Sequence, residues 1–185
     1  MRRKSAVVLV LVVALALVLA ACGGSNEPVV KKPAREITIG VDDLGAGWRM
    51  VKEWDGLDAM NLKASSYLDG NMRRFEGKGR LAIVLVATTK RVKRAQTEFK
   101  REDAFDTTIS NVRRIFPDMT IGGVEAPAIA DEQRMIQGEF GPARMYSIFF
   151  REDNVLVSLT LVGDEKVASQ EAITRLAKTM VSRTQ

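Results

Sequence analysis

The sequence has 185 residues, a net charge of +5, a single cysteine and no histidine. Without histidine the chain cannot form a Ser-His or Cys-His catalytic pair or a histidine-ligated zinc site, and it lacks the commonest general base. One cysteine allows no disulfide within the chain, so the fold must be stable without one.

The amino-terminal residues have the pattern of an export signal. Arg2, Arg3 and Lys4 precede an unbroken apolar run over residues 6–21, as in the n- and h-regions of a secretory signal. As a helix this run would be about 24 Å long, shorter than the roughly 30 Å hydrocarbon core of a bilayer. We therefore predict a cleaved signal peptide over residues 1–21, with an uncleaved anchor or an ordinary signal as the alternatives.

The residues that end this signal are Leu19, Ala20, Ala21 and Cys22, and they resemble the lipobox of bacterial lipoproteins. The resemblance implies that the leader is cut before Cys22 and that fatty acyl chains are attached to this cysteine. Two or more acyl chains hold a protein stably at a membrane. The resemblance thus implies a cell-envelope protein on the extracytoplasmic side of the membrane. Inner and outer membrane both stay open, because sorting rules differ between bacteria.

Cleavage before Cys22 would leave 164 residues (185 − 21) with a net charge of +2, because the leader carries three positive charges (5 − 3). Residues 22–36 have the Gly- and Pro-containing composition of a flexible linker, which could extend to about 50 Å. Residues 37–185 are enough for one domain with its own core.

Alternating apolar and polar residues predict strands in the first part of this domain. Residues 48–54 read as a half-buried strand, and residues 72–76 and 80–89 form a hairpin around Gly77-Lys78-Gly79. The segment 80–89 is apolar on both faces, which places it at the centre of the sheet.

Residues 90–116 have helical periodicity, but the apolar face changes. Residues 92, 95 and 99 share one face, whereas the apolar residues over 105–116 share a face rotated by about a third of a turn. We therefore predict a bend or break near residues 101–103.

The carboxyl-terminal part contains three further predicted strands, at 135–139, 143–151 and 155–162, after an irregular crossing at Gly122-Gly123. An amphipathic helix begins near Val167. Strands joined by hairpins, followed by helices, predict an α+β fold with an antiparallel sheet of about six strands and amphipathic helices packed on it.

Several segments resemble small uncharacterised bacterial lipoproteins whose mature domains are similar to the PsbP-like α/β/α sandwich. These segments are the run from Asp43 to Trp48, the hairpin and helix at 72–102, the run from Ile129 to Glu132, and the final strand and helix. Where such lipoproteins often have Gly-Asp-Glu, this chain has Ala130-Asp131-Glu132. The resemblance implies an adaptor or binding domain and carries over no catalytic residue.

Adjacent acidic residues occur at 42–43, 102–103, 131–132, 152–153 and 164–165. Two acids can serve a glycosidase or bind a hard cation. Adjacent side chains diverge on strands and helices, however, and these pairs fall in turns and at helix starts, where acids cap the backbone. We therefore predict no catalytic residue, no metal site and no cofactor.

The predicted helix carries a basic cluster, with Glu98 and Glu102 interleaved, made of Lys90, Arg91, Lys93, Arg94, Lys100 and Arg101. Of these, Lys90, Arg94 and Arg101 lie opposite the apolar residues 92, 95 and 99. A solvated helix face is the simpler interpretation, and contact with anionic lipid headgroups or an envelope polymer is the alternative. Nucleic acid is not predicted as a partner, because no stacking aromatics accompany these cations. Trp48 and Trp54, at strand spacing, are predicted to pack in the core rather than to anchor a ligand.

Three functions remain open. The first is a membrane-anchored, non-enzymatic envelope lipoprotein whose domain binds a partner protein or assists an envelope assembly. The second is a lipid or small-ligand carrier with an apolar cavity between sheet and helix. The third is a histidine-free hydrolase with two carboxylates converging in a cleft. The partner and the oligomeric state are not predicted.

Overall fold

The computed structural model describes residues 29–101, 109–110, 113 and 117–185. The predicted signal peptide, Cys22 and most of the second half of the predicted helix at 90–116 lie outside the described residues. The described part forms one seven-stranded antiparallel sheet with helices packed on it. The predicted α+β fold is confirmed, with seven strands instead of six.

The strands are β1 (Arg49–Asp55), β2 (Tyr67–Gly77), β3 (Arg80–Thr89), β4 (Thr120–Val124), β5 (Glu132–Phe140), β6 (Ala143–Glu152) and β7 (Val155–Gly163). The helices whose full extent is described are α1 (Ala34–Ile37), α2 (Val41–Leu44), α3 (Val92–Lys100) and α4 (Gln170–Thr184). Helix α3 ends at Lys100 and Arg101 is extended, in keeping with the predicted change of face.

The sheet order is β1-β2-β3-β7-β6-β5-β4, so the central strand is β7 and not β3. Strand β3 lies beside the centre, paired with β7 from Leu81↔Val162 to Thr88↔Val155. Strand β4, at one edge, is the strand that the sequence did not predict. It pairs with β5 through Gly122 and Gly123, whose lack of side chains removes the alternation by which strands are recognised.

Helices lie on both faces of the sheet. Helices α1 and α4 share one buried cluster with Val157 of β7, whereas Phe99 of α3 packs with Leu156 and stacks on Phe149 at 4.9 Å. Leu156 and Val157 are neighbours on one strand, so their side chains point to opposite faces. The layers are therefore α/β/α, as the PsbP-like resemblance implied. Membership of that family stays a prediction.

Residues 30–36, assigned to the flexible linker from composition, are packed against the domain. Val30 is 4% exposed and Ala34 is fully buried. The amide of Ala34 donates to Asp69 Oδ2 at 2.7 Å. The linker prediction is therefore wrong for these residues, because apolar side chains at Val30, Ala34 and Ile37 are spaced to reach the core despite the neighbouring proline. Within the described residues, the packed part of the chain therefore reaches back to Val30 instead of starting at residue 37.

Candidate functional site

Four cations of the predicted basic cluster surround the start of α3 and line a surface groove of about 460 Å³, here called the α3 groove. Its lining residues are Ser65, Ser66, Lys90, Arg91, Lys93, Arg94 and Thr97. Four of them are cationic and none is acidic. The groove is therefore a surface suited to an anionic ligand.

Local backbone contacts place these side chains. The amide of Lys90 donates to the carbonyl of Ser66 at 3.1 Å, which joins the end of β3 to the turn before β2. The hydroxyl of Thr89 donates to the carbonyl of Arg91 at 2.8 Å. These contacts fix the first cationic residues after β3 beside the two serines.

The three predicted contact residues are not equivalent. Lys90 is exposed and lines the groove. Arg94 also lines it but forms an ion pair with Glu98, and Arg101 Nη1 lies 3.4 Å from Glu98 Oε2, outside the groove lining. The structure therefore brings Lys90 and Arg94 together and leaves Arg101 apart.

Arg91 and Lys93 also line the groove; they belong to the predicted basic cluster but were not among its three predicted contact residues. Both are exposed, and no carboxylate among the described residues lies within ion-pair distance of either. The prediction selected the cations that would lie opposite residues 92, 95 and 99 on a helix. Arg91 is the extended N-cap residue of α3 and does not follow helical spacing, so this criterion could not place it.

The described chain enters the domain at the same end as the α3 groove. The amide of Val30 donates to Asn154 Oδ1 at 2.9 Å, and Asn154 Nδ2 donates to the carbonyls of Val30 at 3.2 Å and Thr89 at 2.9 Å. Asn154 is fully buried. One side chain thus connects the amino-terminal segment to the residue that precedes Lys90.

The acidic pair Asp131-Glu132 contacts an arginine on β6, and we call Arg151, Asp131 and Glu132 the Arg151 cluster. Arg151 is 5% exposed. Its Nη1 lies 2.7 Å from Asp131 Oδ2 and its Nε lies 2.7 Å from Glu132 Oε2. Two carboxylates that share one guanidinium are satisfied as ion-pair partners.

The neighbouring Glu152 has a different environment. Burial raises the pKa of Glu152, the hydrogen bond from the Asp131 amide lowers it, and the nearby Asp131 and Asp153 charges raise it further. The Oε2 atom of Glu152 accepts from that amide at 3.0 Å. This carboxyl therefore holds the loop before β5 against the end of β6.

A second group of acids lies on β1. Asn71 Nδ2 donates to Glu53 Oε1 and to Asp55 Oδ1, each at 2.9 Å, and Arg73 Nε lies 2.7 Å from Glu53 Oε1. Hydrogen bonds from Asn71 and then Arg73 lower the pKa of Glu53. Glu53 is thus held ionised, which does not suit a general acid.

Neither group of acids lines the cavities on α4, on α3 or beside Trp48. Within the described residues, no group of three or more Asp, Glu, Cys or His side chains could hold a metal ion. The contacts that these acids make join strands and loops to each other, and this is the role that the structure gives them.

Trp48 and Trp54 differ in burial. Trp48 is 9% exposed and belongs to the main core, with the guanidinium of Arg80 lying 4.8 Å from its ring centre. Trp54 is half-buried on edge strand β1, with Lys52 Nζ 4.4 Å from its ring centre. Core packing is therefore found for Trp48, and a cation–π contact for each ring.

Side chains occupy most of the space between the sheet and α4, where the cavity beside Trp48 measures only about 120 Å³. The largest fully buried residues include Phe75, Ile148, Leu159, Ile173 and Met180, all in this one cluster. A larger cavity, of about 660 Å³, lies on the solvent-facing side of α4 and is lined by polar and charged residues such as Gln170, Arg175 and Lys178. A filled core favours binding at the surface over carriage of an apolar ligand inside.

In the described part of the chain, no helix is long and apolar enough to cross a membrane. The sequence matches no protein-family model. It also has no significant match among curated proteins.

Among solved structures, the chain is similar to the extracellular domain of PknH from Mycobacterium tuberculosis, with a TM-score of 0.58 and 10% identity over 86% of this chain and 98% of that domain. It is also similar to an uncharacterised protein from Mycobacterium smegmatis, with a TM-score of 0.43 and 13% identity over 76% of this chain and 90% of that protein. The first comparison shows a shared fold, and at this identity it shows the fold alone.

Proposed function

We propose that the protein is a membrane-anchored lipoprotein of the bacterial cell envelope. Its α+β domain acts without catalysis, by binding a partner protein or assisting an envelope assembly. The observation that carries the proposal is Cys22, which follows a charged start, an apolar run and two small residues in the order of a lipobox.

The shared fold supports the placement of the domain. The PknH domain of the same fold is extracellular by its description, and we propose the same side of the membrane for this domain. The short chain between Cys22 and Val30, the first of the described residues that is buried, suits a domain held close to the membrane surface.

Binding at the surface is favoured over the two alternative functions. A carrier needs an apolar cavity of several hundred Å³, whereas the cavity between the sheet and α4, beside Trp48 and Leu176, measures only about 120 Å³. A hydrolase of the predicted kind needs two carboxylates in one cleft, whereas Asp131 and Glu132 are bound to Arg151. Surface grooves on α3 and α4 are open to a partner.

Changing Cys22 to Ala tests the anchor. We expect Cys22→Ala to move the protein from the membrane to the soluble fraction or to leave an unprocessed precursor, because the acceptor sulfur for the acyl chains is lost. Fractionation and intact-mass measurement give the readout. Ser25→Ala, three residues away, is the control and should stay acylated and membrane-bound. Normal processing and full membrane retention of Cys22→Ala would count against the anchor.

The binding role is tested with the acylated protein isolated from its own envelope. We expect a specific protein to co-purify that does not accompany an unrelated lipoprotein prepared in the same way. Recovery of the protein alone, after cross-linking in intact cells, would count against a partner-binding role.

A further inference from the structure

The α3 groove and the amino-terminal entry point lie together at one end of the sheet. Asn154 binds the backbone of both Val30 and Thr89, and Thr89 directly precedes Lys90. Any tether attached to the amino-terminal side of Val29 therefore reaches the domain beside Lys90.

The length of chain before this point limits how far the groove can be from an anchored Cys22. Seven residue steps separate Cys22 from Val29, and a fully extended chain spans at most about 25 Å over that distance. Strand β3, which runs from Arg80 to Thr89, is about 30 Å long at the usual rise per residue. Lys78, in the turn before β3, thus lies at the far end of the sheet from Lys90.

At the end nearest the tether, three cations of the α3 groove lie together without an ion-pair partner. Lys90, Arg91 and Lys93 are exposed, and among the residues that the structure describes none of the three has a carboxylate within ion-pair distance. The nearest helix acid, Glu98, is engaged by Arg94 and Arg101. Asp69, close to the entry point, accepts hydrogen bonds from the Ala34 and Gly70 amides.

The groove combines these cations with hydroxyl groups. Ser65 and Ser66 line it opposite the start of α3, and serine hydroxyls donate hydrogen bonds to phosphate oxygens. Basic side chains close to a membrane attract anionic headgroups, and the attraction decays within about a Debye length of 10 Å. A tether that holds the groove near the headgroups therefore makes its charge effective.

We propose that the α3 groove is the membrane-facing surface of the domain, and that Lys90, Arg91 and Lys93 bind the phosphate groups of anionic phospholipids in the membrane that holds Cys22. This inference rests on the proposed lipid anchor. The tether brings the domain to the surface, and the groove determines which end of the domain faces it. The opposite end, with Lys78, then points away from the membrane and is left open to a partner.

Lysine footprinting on the full, acylated protein tests the orientation. The protein is reconstituted in phosphatidylcholine vesicles with or without roughly 30% phosphatidylglycerol, a fraction that gives the surface a negative potential. The acetylation rates of Lys90, Lys93 and Lys78 are then measured by mass spectrometry. We expect phosphatidylglycerol to slow acetylation of Lys90 and Lys93 about fivefold, the factor for one charge near an anionic surface, and to leave Lys78 unchanged. Salt at about 0.5 M should remove the protection, because it screens the attraction.

A charge-matched pair of variants identifies the residues responsible. Since acylated Cys22 has no free thiol, Ala64→Cys, exposed and outside the groove lining, provides one labelling site for an environment-sensitive fluorophore. The change in fluorescence caused by phosphatidylglycerol should vanish in a variant that neutralises the groove and persist in one that neutralises exposed lysines elsewhere. The groove variant is Lys90→Gln, Arg91→Gln and Lys93→Gln, and the control is Lys52→Gln, Lys78→Gln and Lys178→Gln. Circular dichroism checks that both are folded.

The outcomes separate this inference from the proposed function. If Cys22 carries acyl chains but phosphatidylglycerol slows the acetylation of Lys90 no more than that of Lys78, the orientation is wrong and the anchor stands. Protection in isolated envelopes but not on these vesicles also overturns it, in favour of an anionic envelope polymer. If mass spectrometry finds Cys22 without acyl chains, both proposals fail.

Discussion

Arg151 gives the acidic pair Asp131-Glu132 its role in the structure. Its guanidinium is almost completely buried, contacts both carboxylates and donates to the carbonyl of Asp153 at 2.8 Å. Removing one partner of a buried ion pair leaves an uncompensated charge, which costs more than the pair itself contributes. The loop before β5 and the turn after β6 are thus held by one side chain.

We expect Arg151→Met to lower the free energy of unfolding by about 3 kcal/mol, because it removes the cation from two carboxylates and an acceptor carbonyl. Urea denaturation measures this change. Arg144→Met is the matched control, since Arg144 pairs with Glu165, whose side chain is 74% exposed, and exposed pairs contribute at most about 1 kcal/mol. Equal effects of the two variants would contradict the assigned role of Arg151.

We expect the contribution of Glu152 to stability to fall as pH rises. A typical paired acid shows the opposite dependence, because its contribution falls as pH is lowered. Because burial raises the pKa of Glu152 in the folded protein, the native state binds its proton more tightly than the unfolded state does. The contribution of Glu152 to stability is therefore full below the pKa of an unfolded glutamate and falls as pH rises through the raised folded pKa.

We accordingly expect Glu152→Gln to be more stable than the parent at pH 7 and equal to it in acid, where Glu152 is protonated. Thermal unfolding across this pH range measures the difference. The glutamine can still accept the hydrogen bond from the Asp131 amide, so that contact is preserved. If the difference in stability between the two proteins were the same at every pH, burial would not raise the pKa of Glu152 in the folded protein.

At the residue scale, local spacing predicted some contacts and missed others for a physical reason. The pairing of Glu98 with Arg94 and Arg101 follows from helical spacing. The contact of Asn154 with Val30 joins residues 124 positions apart, and Asp153-Asn154 in sequence indicates only a turn. No local pattern identifies such a partner, because its position depends on the completed sheet.

At the scale of elements, the strands with clear alternation were predicted well. Strand β3 has the predicted bounds, and β6 and β7 each extend one residue further than predicted. Strand β4 was missed because its two glycines carry no side chains. Helix α1 was missed because it has only four residues, fewer than periodicity needs to be recognised.

The packed segment before α2 leads to a prediction about the domain boundary. A mature domain that starts at residue 37, as composition suggested, should have a free energy of unfolding about 3–5 kcal/mol below one that starts at Val29. The shorter form loses the buried Val30 and Ala34 side chains and leaves the buried Oδ1 of Asn154 without the donor it has in Val30. Urea denaturation of the two forms measures the difference. Equal stability would mean that residues 29–36 act as a linker after all.

At the scale of the whole molecule, the sequence predicted the class of fold but not the order of the strands. Hairpin turns indicate which strands are neighbours in the chain, and so β2–β3, β5–β6 and β6–β7 could be expected. The pairing of β3 with β7 brings together strands 66 positions apart, from Thr89 to Val155. It depends on long-range packing, and this is why β3 was placed at the centre that β7 occupies.

The α3 groove could likewise be predicted only in part from the sequence. The sequence located cations around residues 90–101, but their nearness to the amino-terminal entry point depends on Asn154 and on the pairing of β3 with its neighbours. A surface defined by two distant parts of the chain could not be predicted from either part alone.

The position of the Val30 contact also determines how the domain responds to mechanical force. A pull on the amino-terminal end passes through Asn154 to Thr89 at the end of β3 and to the turn that begins β7. Both strands have partners on each side, so the load is shared across the middle of the sheet instead of peeling an edge strand. An anchor at Cys22, as proposed above, would therefore load the middle of the sheet when the domain is pulled away from the membrane.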